Sequence, residues 1–518
     1  MRGSTEPLED LQEAVGRRLA SFDRSDAIRR IWRRDFTVWR DDPMEIADRL
    51  GWLTVHGAMQ GEVSELREFA SSCAADGLTH ALLAGMGGSS LAPEVLRETF
   101  GVAPGMLDLI VLDSTHPDQI LAVERHLPLD KALFVIASKS GTTTETLSHF
   151  AYFWEKIPVG ERFVAITDPG TPLEALAAER GFRRTFLNPP DIGGRYSALS
   201  YFGLVPGALI GADLDGLLDR AASMADACAY GVPAADNPGA GIGAVIGEAA
   251  LAGKDKLTLV LDQHVRAFGH WLEQLIAEST GKEGKGIVPV EGEDLGEPGA
   301  YGPDRLFVGI GADAVRKGLE PIRDAGFPVV HLELEDAIEL GREFFRWEFA
   351  TAVAGAVLGI NPFDQSNVQE AKDATRRLLA QGDLPDPGYD DIGQLLELVR
   401  PGDYLALQAY LPRNRESERS LHEARMRLRD RLKVATTVGF GPRYLHSTGQ
   451  LHKGGPDTGV FVQVVEPPTQ DVPIPGQPYS FGRLIAAQAL GDLQSLRKRG
   501  RRVARVRLAD LEAAGLGG

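Results

Sequence analysis

Cysteine is nearly missing from this chain: Cys73 and Cys228 are the only two in 518 residues. Two thiols so far apart build no disulfide framework, and neither has the spacing of a metal-ligand pair, so the chain reads as one that works in a reducing cytoplasm. Long apolar runs are also lacking. No stretch approaches the roughly 18 consecutive apolar residues of a membrane span, and Met1 to Asp10 has acidic residues and no apolar core, unlike a signal peptide. Positive charge is in deficit, with 55 Lys plus Arg against 73 Asp plus Glu and a net charge of -18. Such a surface turns away nucleic acid and anionic lipid, so any phosphate it binds has to be held by a local site. The basic stretch Arg497-Lys-Arg-Gly-Arg-Arg does not overturn this. It leads into the strand-like alternation Val503-Ala-Arg-Val-Arg-Leu and reads as a solvated turn and an edge strand.

What is present is the mix of a soluble globular protein, 43% hydrophobic and 25% charged. The length suggests roughly three or four domains or subdomains. The 59 glycines gather around loops rather than in low-complexity tracts. Residues 8–70 read as helices, at Leu11-Gln-Glu-Ala-Val, Ile28-Arg-Arg-Ile-Trp, Met44 to Leu50 and Val63 to Phe69. From about residue 79 short buried strands alternate with helical segments: Ala81-Leu-Leu-Ala, Leu109-Ile-Val-Leu-Asp, Ala132-Leu-Phe-Val-Ile-Ala and Phe163-Val-Ala-Ile-Thr. The alternation predicts parallel βαβ units with helices on both faces. Residues 231–241 form a Pro- and Gly-rich seam, after which the pattern restarts at Lys256-Leu-Thr-Leu-Val-Leu, Arg305-Leu-Phe-Val-Gly-Ile and Pro328-Val-Val-His-Leu-Glu-Leu. A third alternating region covers Tyr404 to Leu411, the helix Glu416 to Leu432, Val434 to Thr437 and Val460 to Val465. The fold class is therefore α/β. It comprises a helical segment at 1–70, tandem doubly wound parallel-sheet domains at 71–230 and 240–400, and an α/β extension at 401–518.

Two loops have the form strand, small polar residues, helix start, which offers unpaired N–H groups and a positive dipole end to an anion. One is Gly85-Met-Gly-Gly-Ser-Ser, where Gly87 and Gly88 permit close backbone approach and Ser89 adds a hydroxyl. The other is Ser138-Lys-Ser-Gly-Thr-Thr-Thr-Glu-Thr, whose surplus of hydroxyls exceeds what one helix cap uses. Neither is a Walker loop or a dinucleotide fingerprint, which points to a monophosphate on a small molecule. Gln274-Leu-Ile-Ala-Glu-Ser-Thr-Gly-Lys places Gln274 and Glu278 on one face at the end of an otherwise apolar helix. A carboxylate beside apolar surface resists ionisation and is drawn toward the range useful for moving protons, so Glu278 is a candidate general base. Arg195 follows two glycines in Asp191-Ile-Gly-Gly-Arg-Tyr-Ser, where a guanidinium can approach a substrate oxygen. Asn361-Pro-Phe-Asp-Gln-Ser-Asn-Val-Gln-Glu-Ala-Lys reads as a helix start whose first turns carry Gln365 and Lys372.

In their order along the chain, these five segments resemble the glucose-6-phosphate isomerase (phosphoglucose isomerase) family, from the Gly-rich loop near residue 85 to Lys372. The chain is most similar in flavour to the isomerase part of bacterial transaldolase–isomerase fusions, although 518 residues leave no room for the transaldolase barrel. The helical start and the residues beyond 400 match less clearly. The resemblance implies two sugar-isomerase (SIS) domains and interconversion of D-glucose 6-phosphate and D-fructose 6-phosphate through a cis-enediolate, in glycolysis and gluconeogenesis, with no cofactor and no metal. It implies that Gly87, Gly88, Ser89, Ser138, Lys139, Ser140 and Thr143 hold the phosphate and that Glu278 shuttles the proton between C2 and C1. Arg195 would stabilise the enediolate, Gln274 and Gln365 would hold sugar oxygens, and Lys372 would assist ring opening with Glu145 beside it. A homodimer with one His contributed across the interface is implied as well.

The chain departs from the family at the ring-opening His. Where it follows a Gly-Glu-Pro-Gly loop in relatives, this sequence reads Gly296-Glu-Pro-Gly-Ala-Tyr-Gly-Pro-Asp, with Asp304 in its place. A later stretch, His446-Ser-Thr-Gly-Gln-Leu-His-Lys-Gly-Gly, offers His446 and, second, His452. Two alternatives stay open at this point. One is activity on mannose 6-phosphate too, through relaxed discrimination near Thr280. The other is a non-catalytic sugar-phosphate sensor, which could dispense with Glu278, Arg195 and Lys372.

Overall fold

The computed structural model describes residues 10–516; the readings made for residues 1–9 lie outside the described residues. Thirteen strands among these residues build three all-parallel sheets. The first contains β1 (His80–Ala84), β2 (Asp108–Leu112), β3 (Ala132–Ala137), β4 (Phe163–Thr167) and β5 (Arg184–Leu187), in the order β2-β1-β3-β4-β5. The second contains β6 (Lys256–Leu261), β7 (Val288–Val290), β8 (Arg305–Gly311) and β9 (Val329–Glu333), ordered β7-β6-β8-β9. The third contains β10 (Tyr404–Tyr410), β11 (Ala435–Phe440), β12 (Gly459–Val465) and β13 (Arg502–Val506), ordered β11-β10-β12-β13. All three start in the middle, step to one side and return to the other, so each has its switch point between its first and third strands. Ligands of open α/β sheets bind in the crevice beyond the strand ends at such a point.

Strands covered on both faces lose their polar alternation. Every residue of β3 and of β10 is buried, which is why β3 was legible as an unbroken apolar run and β10 as one interrupted only by Gln408. β13 lies at the edge of its sheet, and the basic turn before it is tied down by carboxylates: Lys498 and Arg499 pair with Glu370, and Arg501 with Asp457. β5 and β7 escaped the sequence reading. β5 is a short edge strand opening on Arg184 and Thr185, and β7 carries Pro289, which an edge strand tolerates because one side of its ladder is free.

Two helical readings need correction. Residues 44–50 form turns rather than a helix. The Asp42 carboxylate accepts from the Met44 N–H at 3.0 Å, and Leu50 makes an isolated bridge to Ile192, so local polar groups and a distant loop segment outcompete helix propagation. The helix here is the next segment, Trp52–Gln60. Further on, the helix carrying Lys372 starts at Val368. Gln365 therefore sits in the preceding loop, where the Asn361 side chain accepts from the Phe363 N–H at 2.9 Å.

The helices Asp10–Arg24, Ala27–Trp32 and Trp52–Gln60 share one apolar cluster with the helices Leu214–Ala227, Pro238–Leu251 and Leu340–Leu358. This N-terminal layer thus packs on both the first and second sheet units. The third unit has a separate core built on β10, β12 and the helix Arg415–Leu432. No helix of the described residues is long and apolar enough to cross a membrane.

Candidate active site

The helix Phe268–Thr280 follows β6 and buries Trp271, Leu272, Leu275 and Ile276 completely or nearly so. That apolar stripe fixes its rotation and leaves Gln274 and Glu278 on another face, one turn apart. Gln274 Nε2 donates to Glu278 Oε2 at 3.0 Å and to the His446 carbonyl at 2.7 Å. Arg195 stands in the short turn Gly194–Tyr196, with Nη1 2.9 Å from Glu278 Oε1. Both side chains are buried, Arg195 at 4% and Glu278 at 5% exposure. The surroundings of Glu278 therefore differ from the purely apolar setting that its helix suggested, because a guanidinium faces it.

Arg195 reaches this position because two backbones come together. A Cβ added to Gly88 would lie 1.9 Å from the Gly194 carbonyl oxygen, so the Gly87–Ser89 turn after β1 seats directly on the Arg195 turn. The rest of the guanidinium is held by carbonyls, with Nη2 donating to Pro362 O at 3.2 Å and Asp364 O at 2.6 Å. Its Nε is buried with no protein partner. Lys282, just past the helix end, donates to Asn361 O at 2.7 Å and to Asp364 O at 2.6 Å, and pairs with the Asp364 carboxylate at 2.5 Å. Burial, and then the nearby Arg195 charge, bring the Lys282 ammonium down to about 7 against the pull of Asp364.

The second group surrounds a cavity of about 280 Å³ lined by Ser140, Thr142, Thr143, Glu145, Lys372 and His446, among others. The loop after β3 is braced by its own hydroxyls. Ser138 Oγ lies 2.9 Å from Thr143 Oγ1 and accepts from the Gly141 N–H at 3.1 Å, while Ser140 and Thr142 hydroxyls meet at 2.9 Å. Thr143 is the N-cap of the helix Thr144–Lys156, yet its side chain makes no capping bond. The first-turn N–H groups and the dipole end are thus left to face an anion. His446 Nε2 comes within 3.1 Å of Glu145 Oε1, which also accepts from Gln488 at 2.7 Å. Burial alone would raise the Glu145 carboxyl, but His446 and, more weakly, Lys372 hold it at about 2.

The sequence-predicted residues thus fall into linked but distinct places. Ser140, Thr143, Glu145, Lys372 and His446 share the cavity. Glu278, Arg195 and Gln274 form the adjoining buried cluster, joined to it through the His446 backbone. Gly87 and Gly88 are packing positions of that cluster; a Cβ on Gly87 would meet His446 O at 2.7 Å and Gln274 Nε2 at 2.8 Å. Ser89 is buried in the same turn, and Ser138 braces the loop. Lys139 bonds the Asp168 carboxylate and, at 3.0 Å, Pro190 O. Gln365 is exposed in its loop.

His452 stands elsewhere. Its ring packs among Tyr404, Tyr444 and Phe461, and Nδ1 meets Gln408 Nε2 at 3.1 Å. Burial there pushes its imidazole well below the usual histidine range, a neutral packed ring. Asp304 lies 3.4 Å from Lys256 Nζ at the start of the second sheet. Four participants were not singled out from the sequence. Gln488 lies on a helix without a motif. Asp364 and Lys282 sat inside motifs whose other residues drew attention. Arg443, three residues before His446, pairs with Asp113 at 2.9 Å and with Glu94, so it pins the His446 turn to the first sheet unit.

The family model described as phosphoglucose isomerase matches residues 56–295. The chain is 29% identical over 341 residues to a probable glucose-6-phosphate isomerase of Haloarcula marismortui, covering 57% of this chain and 77% of the relative. To the glucose-6-phosphate isomerase of Lactobacillus helveticus it is 31% identical over 310 residues, covering 50% of this chain and 67% of the relative. Among solved structures, a hypothetical protein of Thermus thermophilus superposes with a TM-score of 0.63 at 26% identity, covering 73% of this chain and all of that one. A glucose-6-phosphate isomerase of Chlamydia trachomatis shares the fold, with a TM-score of 0.61 at 19% identity over 73% of this chain and 87% of that one. On these matches, the chain belongs to the phosphoglucose isomerase family.

Proposed function

We propose that the chain interconverts D-glucose 6-phosphate and D-fructose 6-phosphate; relatives that it matches are named glucose-6-phosphate isomerases. The observation that carries this reading is the buried pair of Arg195 and Glu278, 2.9 Å apart, beside Gln274. An aldose–ketose isomerisation needs one base that lifts a proton and returns it to the neighbouring carbon, and a cation where negative charge develops. In this reading Glu278 takes the proton from C2 of the opened sugar and delivers it to C1. The Arg195 guanidinium, held by Glu278 and two carbonyls, stabilises the enediolate from this position, and its free Nε donor is available to one of the enediolate oxygens. Fixed donors in a site closed to water need no reorganisation as charge builds.

The hydroxyl-rich loop at 140–143 and the start of its helix take the phosphate, with Ser138 bracing the loop. Lys372, His446 and Glu145 serve ring opening. Ring opening delivers a proton to the ring oxygen as the C1–O5 bond breaks and removes one from the C1 hydroxyl; the His446 imidazole exchanges these protons, and the ionised Glu145 fixes its orientation and supports its charged form. His446 is the better of the two candidate histidines, because His452 is enclosed by aromatic rings. The sensor alternative is not favoured, since the full proton-transfer set is retained. His446 reaches Glu145 of its own chain at 3.1 Å, so in this reading the ring-opening pair is assembled in cis. Cys73 and Cys228 are both free and buried, which suits a reducing cytoplasm.

The test is a coupled assay with fructose 6-phosphate, reading glucose 6-phosphate formation. Turnover is expected. Absence of turnover with the sugar phosphate still bound would return the sensor reading.

A further inference from the structure

The mechanism above leaves Lys282 without a task, although it is one of the most enclosed cations in the molecule at 2% exposure. A buried ammonium is costly unless paired and hydrogen-bonded, and each partner of Lys282 belongs to one short loop. It donates to Asn361 O and Asp364 O and pairs with the Asp364 carboxylate. The Asp364 carbonyl is also the closer of the two carbonyl acceptors of Arg195, at 2.6 Å. Two cations therefore converge on one carbonyl oxygen, and the second of them, Arg195, carries Glu278 on its other nitrogen at 2.9 Å.

We infer that Lys282 is a positioning residue of the isomerase reaction, clamping the 361–364 loop so that the Asp364 carbonyl holds the Arg195 guanidinium in register with Glu278. The inference rests on the isomerase reading of the same site. Its chemistry has a direction. A charged Lys282 gives three donors to the loop; a neutral one keeps at most two and loses its attraction to the Asp364 carboxylate. The charged groups that act on it are Arg195, which opposes its protonation, and Asp364 and Glu278, which favour it. The clamp therefore tightens at lower pH and loosens as pH rises. Losing the clamp displaces Arg195 relative to the reacting atoms without touching the phosphate loop, which lies in the separate cavity.

The experiment compares wild type with Lys282→Met, Lys282→Arg and Asp364→Asn, measuring kcat and KM for fructose 6-phosphate across pH, with thermal midpoints as a fold check. Lys282→Met is expected to lower kcat about a hundredfold, as a misplaced catalytic group does, with KM little changed. Asp364→Asn keeps the carbonyl but removes a group that favours the ammonium, so the alkaline loss of kcat moves to lower pH. Lys282→Arg keeps the charge and abolishes that alkaline loss. Should Lys282→Met fail to fold, the shift in Asp364→Asn decides the matter. Unchanged kcat in Lys282→Met, or an alkaline limb that is the same in wild type and Asp364→Asn, overturns the clamp. An inactive wild type would instead defeat the isomerase reading itself, so the two failures are distinguishable.

Discussion

His446 and Glu145 are separated by 301 positions in the chain and by 3.1 Å in space. Glu145 belongs to the first sheet unit and His446 to the turn after β11 of the third, so their meeting requires the two units to dock correctly. Arg443 provides the fastening. It reaches back to Asp113 and Glu94, and Asp113 also accepts the Ser90 hydroxyl at 3.2 Å. The His446–Glu145 contact is thus a tertiary product of the third unit, whereas Glu278 and Arg195 lie in the region that the family model matches, with Arg195 also held by the 361–364 loop beyond it.

The Glu145 carboxylate makes acid stability a readout of this docking. Its folded value of about 2 lies below the ordinary 4.5. The group therefore stabilises the fold fully above the unfolded value, and that contribution is lost as pH falls through the folded one. The difference corresponds to about 3 kcal/mol. Urea unfolding of wild type and Glu145→Gln at pH 7 and near pH 3 checks it: the wild type should lose more stability on acidification than the variant does.

Replacing Glu278 with Gln keeps the shape and a hydrogen-bond acceptor for Arg195 but removes the base. kcat should drop by about a hundredfold to ten-thousandfold, the range for a lost general base, while KM stays close to wild type. Steady-state kinetics in both directions should show the same loss, because the proposed mechanism has one carboxylate serve C1 and C2. A variant that remained within a few-fold of wild type would remove Glu278 from the mechanism.

How much of this was readable in the sequence follows from the range of each interaction. Glu278 and Gln274 were legible because their relationship is one helical turn, a local fact. The strands β3, β8 and β10 were legible because burial on both faces leaves predominantly apolar runs, broken only by Arg305 at the start of β8 and Gln408 within β10. His446 was legible as the first candidate, but what separates it from His452 in the structure, the enclosure of the His452 ring by Tyr404, Tyr444 and Phe461, is a tertiary fact. No local pattern carries that information. The same holds for Gln488 against Glu145 and for Lys282 against the 361–364 loop, since each pairs residues from elements far apart in the chain. Gln365 was assigned to a helix because nothing in the sequence announced that the Asn361 side chain would hold the preceding residues in a turn.

Gly88 tests the packing that delivers Arg195. Any Cβ there meets the Gly194 carbonyl at 1.9 Å, a backbone atom that cannot rotate aside. Gly88→Ala must therefore separate the two turns, at a cost of at least about 3 kcal/mol, the upper range for overpacking. The expected result is a marked fall in thermal midpoint, with activity lost even at temperatures where the variant stays folded. Gly101, where an added Cβ meets nothing within 4 Å, lies outside the site; a substitution there strains its left-handed backbone but leaves kcat intact.

The last prediction concerns assembly. If His446 were delivered to a neighbouring molecule's Glu145, an inactive His446→Ala chain and an inactive Glu278→Gln chain would rescue each other when mixed, because a hybrid could combine one intact half from each. The geometry argues against this, since His446 already lies 3.1 Å from Glu145 of its own chain and Gln274 of that chain bonds its carbonyl at 2.7 Å. Each mutant therefore breaks its own site and can contribute nothing to another. Mixtures of the two purified variants, refolded together or simply combined, should show only the sum of their residual rates. Wild-type specific activity should likewise stay constant on serial dilution, whatever oligomer the protein forms. Recovery of activity in the mixture would place the ring-opening histidine in trans and require the Arg443 fastening to open in solution.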